Sequence, residues 1–155
     1  MNNSKMQTPN IWITSKIVLG VVLLVFGSAI YLLFRSKSLS IYQWCALFGL
    51  SDMIDSLRYS VHDWNITEWG RYSLPDGLYC AAYILIIDAI WHNEKSNTKY
   101  YMISLVPLLT ISSELLQYFG LTKGTFDVYD LICYMIPPMI YLIYIYNSQI
   151  YNIIK

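Results

Sequence analysis

The chain has little charge. Of its 155 residues, 13% are Asp, Glu, Lys or Arg, while 56% are hydrophobic. Soluble domains carry roughly 25% charged residues. A soluble chain of this length could not bury so large an apolar excess, so the solvent it calls for is lipid. Ten basic and ten acidic residues cancel, which removes the positive field that nucleic-acid binding needs. Histidine is scarce. His62 and His92 are the two present, and both read as surface or interface residues rather than ligands. Cys45, Cys80 and Cys133 show no metal-ligand spacing and sit in apolar stretches, so they read as packing residues and not as a disulfide framework. There is no Gly-rich phosphate loop, no GxSxG elbow and no HExxH pair, which removes the motif-defined nucleotide, serine-hydrolase and zinc-protease classes. The first apolar run ends in Phe34-Arg35-Ser36-Lys37 without a small-residue cleavage site. It is expected to be a retained span rather than a signal peptide.

What is present is a series of long apolar segments. A helix needs about 20 apolar residues to cross the hydrocarbon core. Five segments approach that length: 11–34, 41–61, 74–91, 100–119 and 128–145. The expectation is therefore an all-α integral membrane bundle of five transmembrane helices, forming a single domain over 1–155. Trp12, Trp44 and Trp91 stand at segment ends, where an amphipathic ring prefers the headgroup level. Pro107 and the pair Pro137-Pro138 fall within spans and are expected to kink them. Gly20, Gly27, Ser28 and Ala29 allow close helix approach, either inside the bundle or against a partner. With five alternating spans, the basic loops 35–40 and 93–99 share a side. The positive-inside tendency then puts them and the C-terminus in the cytoplasm and the N-terminus outside.

The polar residues inside spans are costly, and each is a functional hypothesis by default. Asp52, Asp55 and Arg58 lie toward the end of the second segment and Asp76 at the start of the third. Glu114 and Gln117 lie toward the end of the fourth, and Asp127 and Asp130 open the fifth. Alternating spans bring all four of these ends to one side, so a single acidic cluster is expected near one membrane face. The steps of three within Asp52, Asp55, Arg58, within Glu114, Gln117 and within Asp127, Asp130 give each helix one polar stripe. Arg58 is expected to pair with a carboxylate. Asp88 stands apart, on the opposite side beside Trp91 and His92. Read singly, each of these residues is equally a helix cap or a loop brace, as for Asp127 at a helix N-terminus.

Two stretches carry a family resemblance. Ser113-Glu114-Leu115-Leu116-Gln117, followed by Gly124-Thr125-Phe126-Asp127-Val128-Tyr129-Asp130, resembles the VanZ-like membrane proteins. Their signature is a Glu-x-x-Gln element, a short loop and a Phe-Asp-x-x-Asp helix start. Asp55-Ser56-Leu57-Arg58 and Ser73-Leu74-Pro75-Asp76-Gly77-Leu78 look like motifs of small multi-pass relatives. The likeness covers about 112–138. Thr125 stands where the family often has Arg, and Cys133, Tyr134, Pro137 and Pro138 follow where it often has Asn and Gly. The resemblance implies a bacterial cytoplasmic-membrane protein of envelope physiology, with a bearing on glycopeptide resistance.

Three readings of the polar residues follow. In the first, Asp55, Arg58, Asp76, Glu114, Gln117, Thr125, Asp127 and Asp130 form a site for an envelope lipid or a lipid-linked precursor. A divalent cation such as magnesium, held by Glu114, Asp127 and Asp130, would bridge to a phosphate, and Arg58 would contact phosphate directly. In the second, the same groups perform metal-assisted chemistry on a lipid phosphate. In the third, the chain is a non-catalytic subunit or assembly factor with a membrane-protein partner. The sequence leaves catalysis open.

Overall fold

The computed structural model describes residues 11–94 and 96–154, and every regular element among them is an α-helix. In chain order these are α1 (Ile11–Phe34), α2 (Ser40–Leu47), α3 (Ser51–Ser60), α4 (Glu68–Tyr72), α5 (Leu74–Ile90), α6 (Thr98–Tyr118) and α7 (Val128–Ile154). Two stretches, Ile11–Phe34 and Val128–Ser148, are long and apolar enough to cross a bilayer.

The second segment expected from hydropathy is not one helix. It divides into α2 and α3 around Gly49, whose φ of 70° lies in the left-handed region that glycine reaches without steric cost. At 1.5 Å per residue, the two pieces are about 12 and 15 Å long, each about half the thickness of a hydrocarbon core. α3 also carries Asp52, Asp55 and Arg58 within ten residues. Continuous crossing would have placed these charges in lipid.

That break sets the direction of everything downstream. α1 and α5 run antiparallel, with Gly20 against Ala82 and Ile86, and Gly27 against Pro75 and Tyr79. Both glycines are buried here, so the close approach they permit is internal packing. α5 is the central helix: α1, α6 and α7 all pack on it, and α6 also packs on α7. The buried centre consists of Cys80, Ile84 and Ile103, with Tyr83, Ile87, Tyr134 and Tyr141 packed around it. The loops 35–40 and 93–99, expected on one side, therefore lie at opposite ends of the bundle. Arg35 reaches the start of α5, while Lys99 reaches its end. The argument for an outside N-terminus loses its basis with that correction. Lys5, Lys95 and Lys155, which also entered the count of basic residues, lie outside the described residues.

The prolines do not interrupt their helices. Proline removes the hydrogen bond to the carbonyl four residues earlier, so Pro137 and Pro138 free the carbonyls of Cys133 and Tyr134. Both face α5. The Cys80 thiol donates to the Tyr134 carbonyl at 3.9 Å, and the Cys133 carbonyl lies against Gly77. All three cysteines are free thiols.

Candidate functional site

The acidic residues meet in part as expected. Asp76 in the first turn of α5, Glu114 near the end of α6, and Asp127 and Asp130 at the start of α7 share one end of the bundle. Glu114 lies within electrostatic reach of the other three. The Glu-x-x-Gln and Phe-Asp-x-x-Asp elements fold onto each other. Buried Glu114 accepts from the Asp127 backbone N–H at 3.4 Å, and Asp127 Oδ1 accepts from the Tyr129 N–H at 2.8 Å. The second bond is a helix N-cap. Gln117 lies against Gly124, and Thr125 is exposed.

Among the described residues, no group of three His, Cys, Asp or Glu side chains is placed to hold a metal ion. Glu114 and Asp127 each accept from a backbone N–H of the α6–α7 corner, and Asp130 Oδ1 is buried with no hydrogen-bond partner among the described residues. The partner of Asp76 is Arg35, at 3.9 Å. Arg35 also donates to the Tyr72 carbonyl at 2.7 Å and lies over the Tyr31 ring at 4.5 Å. The sequence reading had placed it in a loop.

Asp55 and Arg58 do not join the cluster. Asp55 forms an exposed pair with Lys37 at 2.6 Å, a kind of contact worth about 0–1 kcal/mol. Among the described residues, Arg58 pairs with no carboxylate. It donates to the carbonyls of Leu32 and Arg35 at 2.8 and 2.9 Å, and to the Tyr42 hydroxyl. The last carbonyls of a helix lack intrahelical donors and carry partial negative charge. Arg58 supplies that need for α1, fixing α3 beneath its end.

Gly124 tests the folded corner. Its φ is 138°, and an added Cβ would stand 2.7 Å from Gln117 Cδ. Gly124→Ala is expected to lower stability by about 1–3 kcal/mol. Gly120 is the control, since it also has positive φ but open space around it. Thermal unfolding in detergent should show Gly124→Ala melting well below Gly120→Ala. Equal midpoints would mean that neither the φ of 138° nor the contact with Gln117 sets Gly124 apart from Gly120.

The opposite end holds a second charged group that the sequence reading did not assemble. Asp88, 3% exposed, lies near the end of α5. Lys16 of α1 donates to its Oδ2. Lys99 of α6 and the Tyr141 hydroxyl of α7 reach its Oδ1 at 2.6 and 2.8 Å. One carboxylate thus joins four helices. The sequence signals here were Asp88, an isolated acid in an apolar segment, and Lys16, a cation within the first span.

From this node a cleft of about 610 Å³ runs along α5 between α1 and α7. Its walls are Leu19, Leu78, Ala81, Leu85, Ile136 and Ile140, with Gly77 and Cys133 toward the acidic end and Lys16 and Asp88 at the other. From Leu74 to Asp88 the helix rises about 21 Å. Beyond Lys16 and Asp88, the wall is almost entirely hydrocarbon and aromatic carbon.

No protein-family model matches the chain, and neither characterised proteins nor solved structures provide a match.

Proposed function

We propose that the chain is a multi-pass membrane protein of VanZ-like type, with four crossing helices rather than five, that binds an envelope lipid in the cleft between α1, α5 and α7. The four spans are α1, α5, α6 and α7, with α2, α3 and α4 gathered at one end. The bacterial cytoplasmic membrane is the proposed location, and the family resemblance extends the proposal to glycopeptide tolerance. Support for membrane burial comes from the outer faces. The apolar window of α7 buries none of its residues and that of α1 only 17%, whereas an apolar helix of a soluble domain buries one stripe at least. Val25, Leu109, Ile140 and Leu142 are all exposed, and lipid is the solvent that makes such a surface stable.

The cleft is the observation that carries the lipid reading. Ligand pockets are commonly about 300–1,000 Å³, and this one lies on the flank of helices whose outer faces are apolar. A lipid could enter sideways from the bilayer without passing through water. The acidic end, in this reading, braces α5, α6 and α7.

Native mass spectrometry of the protein released from nanodiscs tests the proposal. A stoichiometric lipid adduct is expected in the wild type and its loss in Ala81→Trp, which fills the cleft. A protein that carries no lipid, or a variant that retains it, would rule the cleft out.

A further inference from the structure

Among the described residues, the node at Asp88 is not charge-balanced. Two ammonium groups, Lys16 and Lys99, face one carboxylate, and Tyr141 adds only a neutral donor. The formal charge is +2 − 1 = +1. Each ammonium has three donor protons and directs one bond to Asp88. Lys16 is 18% exposed at its side chain, and it lines the cleft. On its other flank it meets the Tyr144 ring at 5.4 Å, a face that offers π density but no counter-charge. Surplus positive charge beside hydrocarbon is costly unless it is paired. Trp12, one turn earlier on α1 and also lining the cleft, sits where aromatic residues mark the headgroup level.

We infer that the cleft takes a net-anionic phospholipid from the surrounding bilayer, with an acyl chain along α5 toward Gly77 and its phosphate on Lys16 at the Asp88 node. This rests on the lipid-binding reading above and adds the sign of the headgroup and the end at which it sits. The length fits. Acyl chains of one leaflet fill about half of a core about 30 Å thick, and the cleft follows α5 for about 21 Å. The charge selects. A phosphate that carries no cation of its own neutralises the node, whereas a zwitterionic head brings a second positive group toward Lys16 and Lys99. The acidic end repels phosphate, so the lipid has one orientation.

The test is native mass spectrometry with phosphatidylglycerol and phosphatidylcholine of identical chains, titrated separately into delipidated protein in detergent. Wild type is expected to bind phosphatidylglycerol about tenfold more tightly, the size of one hydrogen bond to a charged group. Lys16→Gln leaves Asp88 balanced by Lys99 and Tyr141, so the fold persists and the preference falls to near one. Lys16→Arg retains it. Ala81→Trp loses both lipids alike. If wild type binds the two lipids equally, the headgroup inference is overturned while the lipid-binding reading stands. If it binds neither, both are overturned. A tenfold preference that survives in Lys16→Gln removes Lys16 from the site. If Lys16→Gln does not fold, the wild-type preference and its loss in Ala81→Trp decide the matter.

Discussion

Asp88→Ala is expected to destabilise the bundle by about 3–5 kcal/mol, the typical cost of removing one partner from a buried ion pair. Asp88 is the common acceptor for α1, α6 and α7. Without it, Lys16 and Lys99, whose side chains are 18% and 14% exposed, face each other at the edge of the hydrocarbon with nothing between them. The loss is therefore an uncompensated desolvation plus a repulsion, not merely one missing bond. It contrasts with the exposed Lys37–Asp55 pair, whose removal should change stability by less than about 1 kcal/mol. Two measurements decide the point. The thermal midpoint in detergent should fall sharply for Asp88→Ala and hardly at all for Asp55→Ala. Replacing all three charges together, as Lys16→Met, Asp88→Leu and Lys99→Met, should recover most of the loss, because a buried ionic group replaced whole by apolar residues is often neutral. If Asp88→Ala melts like wild type, the node does not hold the helices together.

Gly77→Val should have the next largest effect, about 1–3 kcal/mol from overpacking. A Cβ at Gly77 would stand 3.0 Å from both the Cβ and the carbonyl oxygen of Cys133. The obstacle is partly backbone, so it cannot swing aside as a flexible side chain would. Gly20 is the comparison. There an added Cβ would stand 2.7 Å from Ile86 Cγ1 and 3.3 Å from the Ala82 carbonyl, and a β-branched side chain in a helix has one favoured rotamer, so even Gly20→Ala should be destabilising. Gly77 also lines the cleft. Prising α5 from α7 there should lower lipid retention as well as the melting midpoint. Lipid retention by nanodisc release and unfolding by melting can be read on the same preparation. If Gly77→Val keeps both, the α5–α7 contact is looser than its geometry implies.

How much was legible in the sequence differs between elements. Three segments, 11–34, 74–91 and 100–119, match α1, α5 and α6 to within two residues at each end, and 128–145 matches the start of α7 but stops nine residues before its end. Long apolar runs bounded by polar turns leave a backbone that must satisfy itself few alternatives to a helix. The acidic end was legible because it depended only on consecutive helices alternating in direction. That held from α5 through α7, so Asp76, Glu114, Asp127 and Asp130 converge. The reading failed at 41–61, where Gly49 in the middle was passed over and Asp52, Asp55 and Arg58 were read as a polar stripe within a span rather than as a sign that the segment does not cross.

That single segment explains the largest omission. A fifth crossing would put the start of α1 and the end of α5 on opposite sides, and Lys16 could never meet Asp88. With the chain turning back at Gly49, α1 and α5 become antiparallel, and the same two residues form one ion pair 72 positions apart. Arg58 followed the same course: hydropathy marked it as a charge needing a carboxylate, but the end of α1 offered carbonyls first. The sequence by itself determined the helices, the apolar outer faces and the end at which the acids gather, because these follow from local composition and from the parity of consecutive turns. Tertiary structure alone decided which helices are antiparallel, which cation faces which anion, and where a cleft remains. Those outcomes depend on whether one broken segment crosses or folds back, and the break falls at Gly49, in the left-handed conformation.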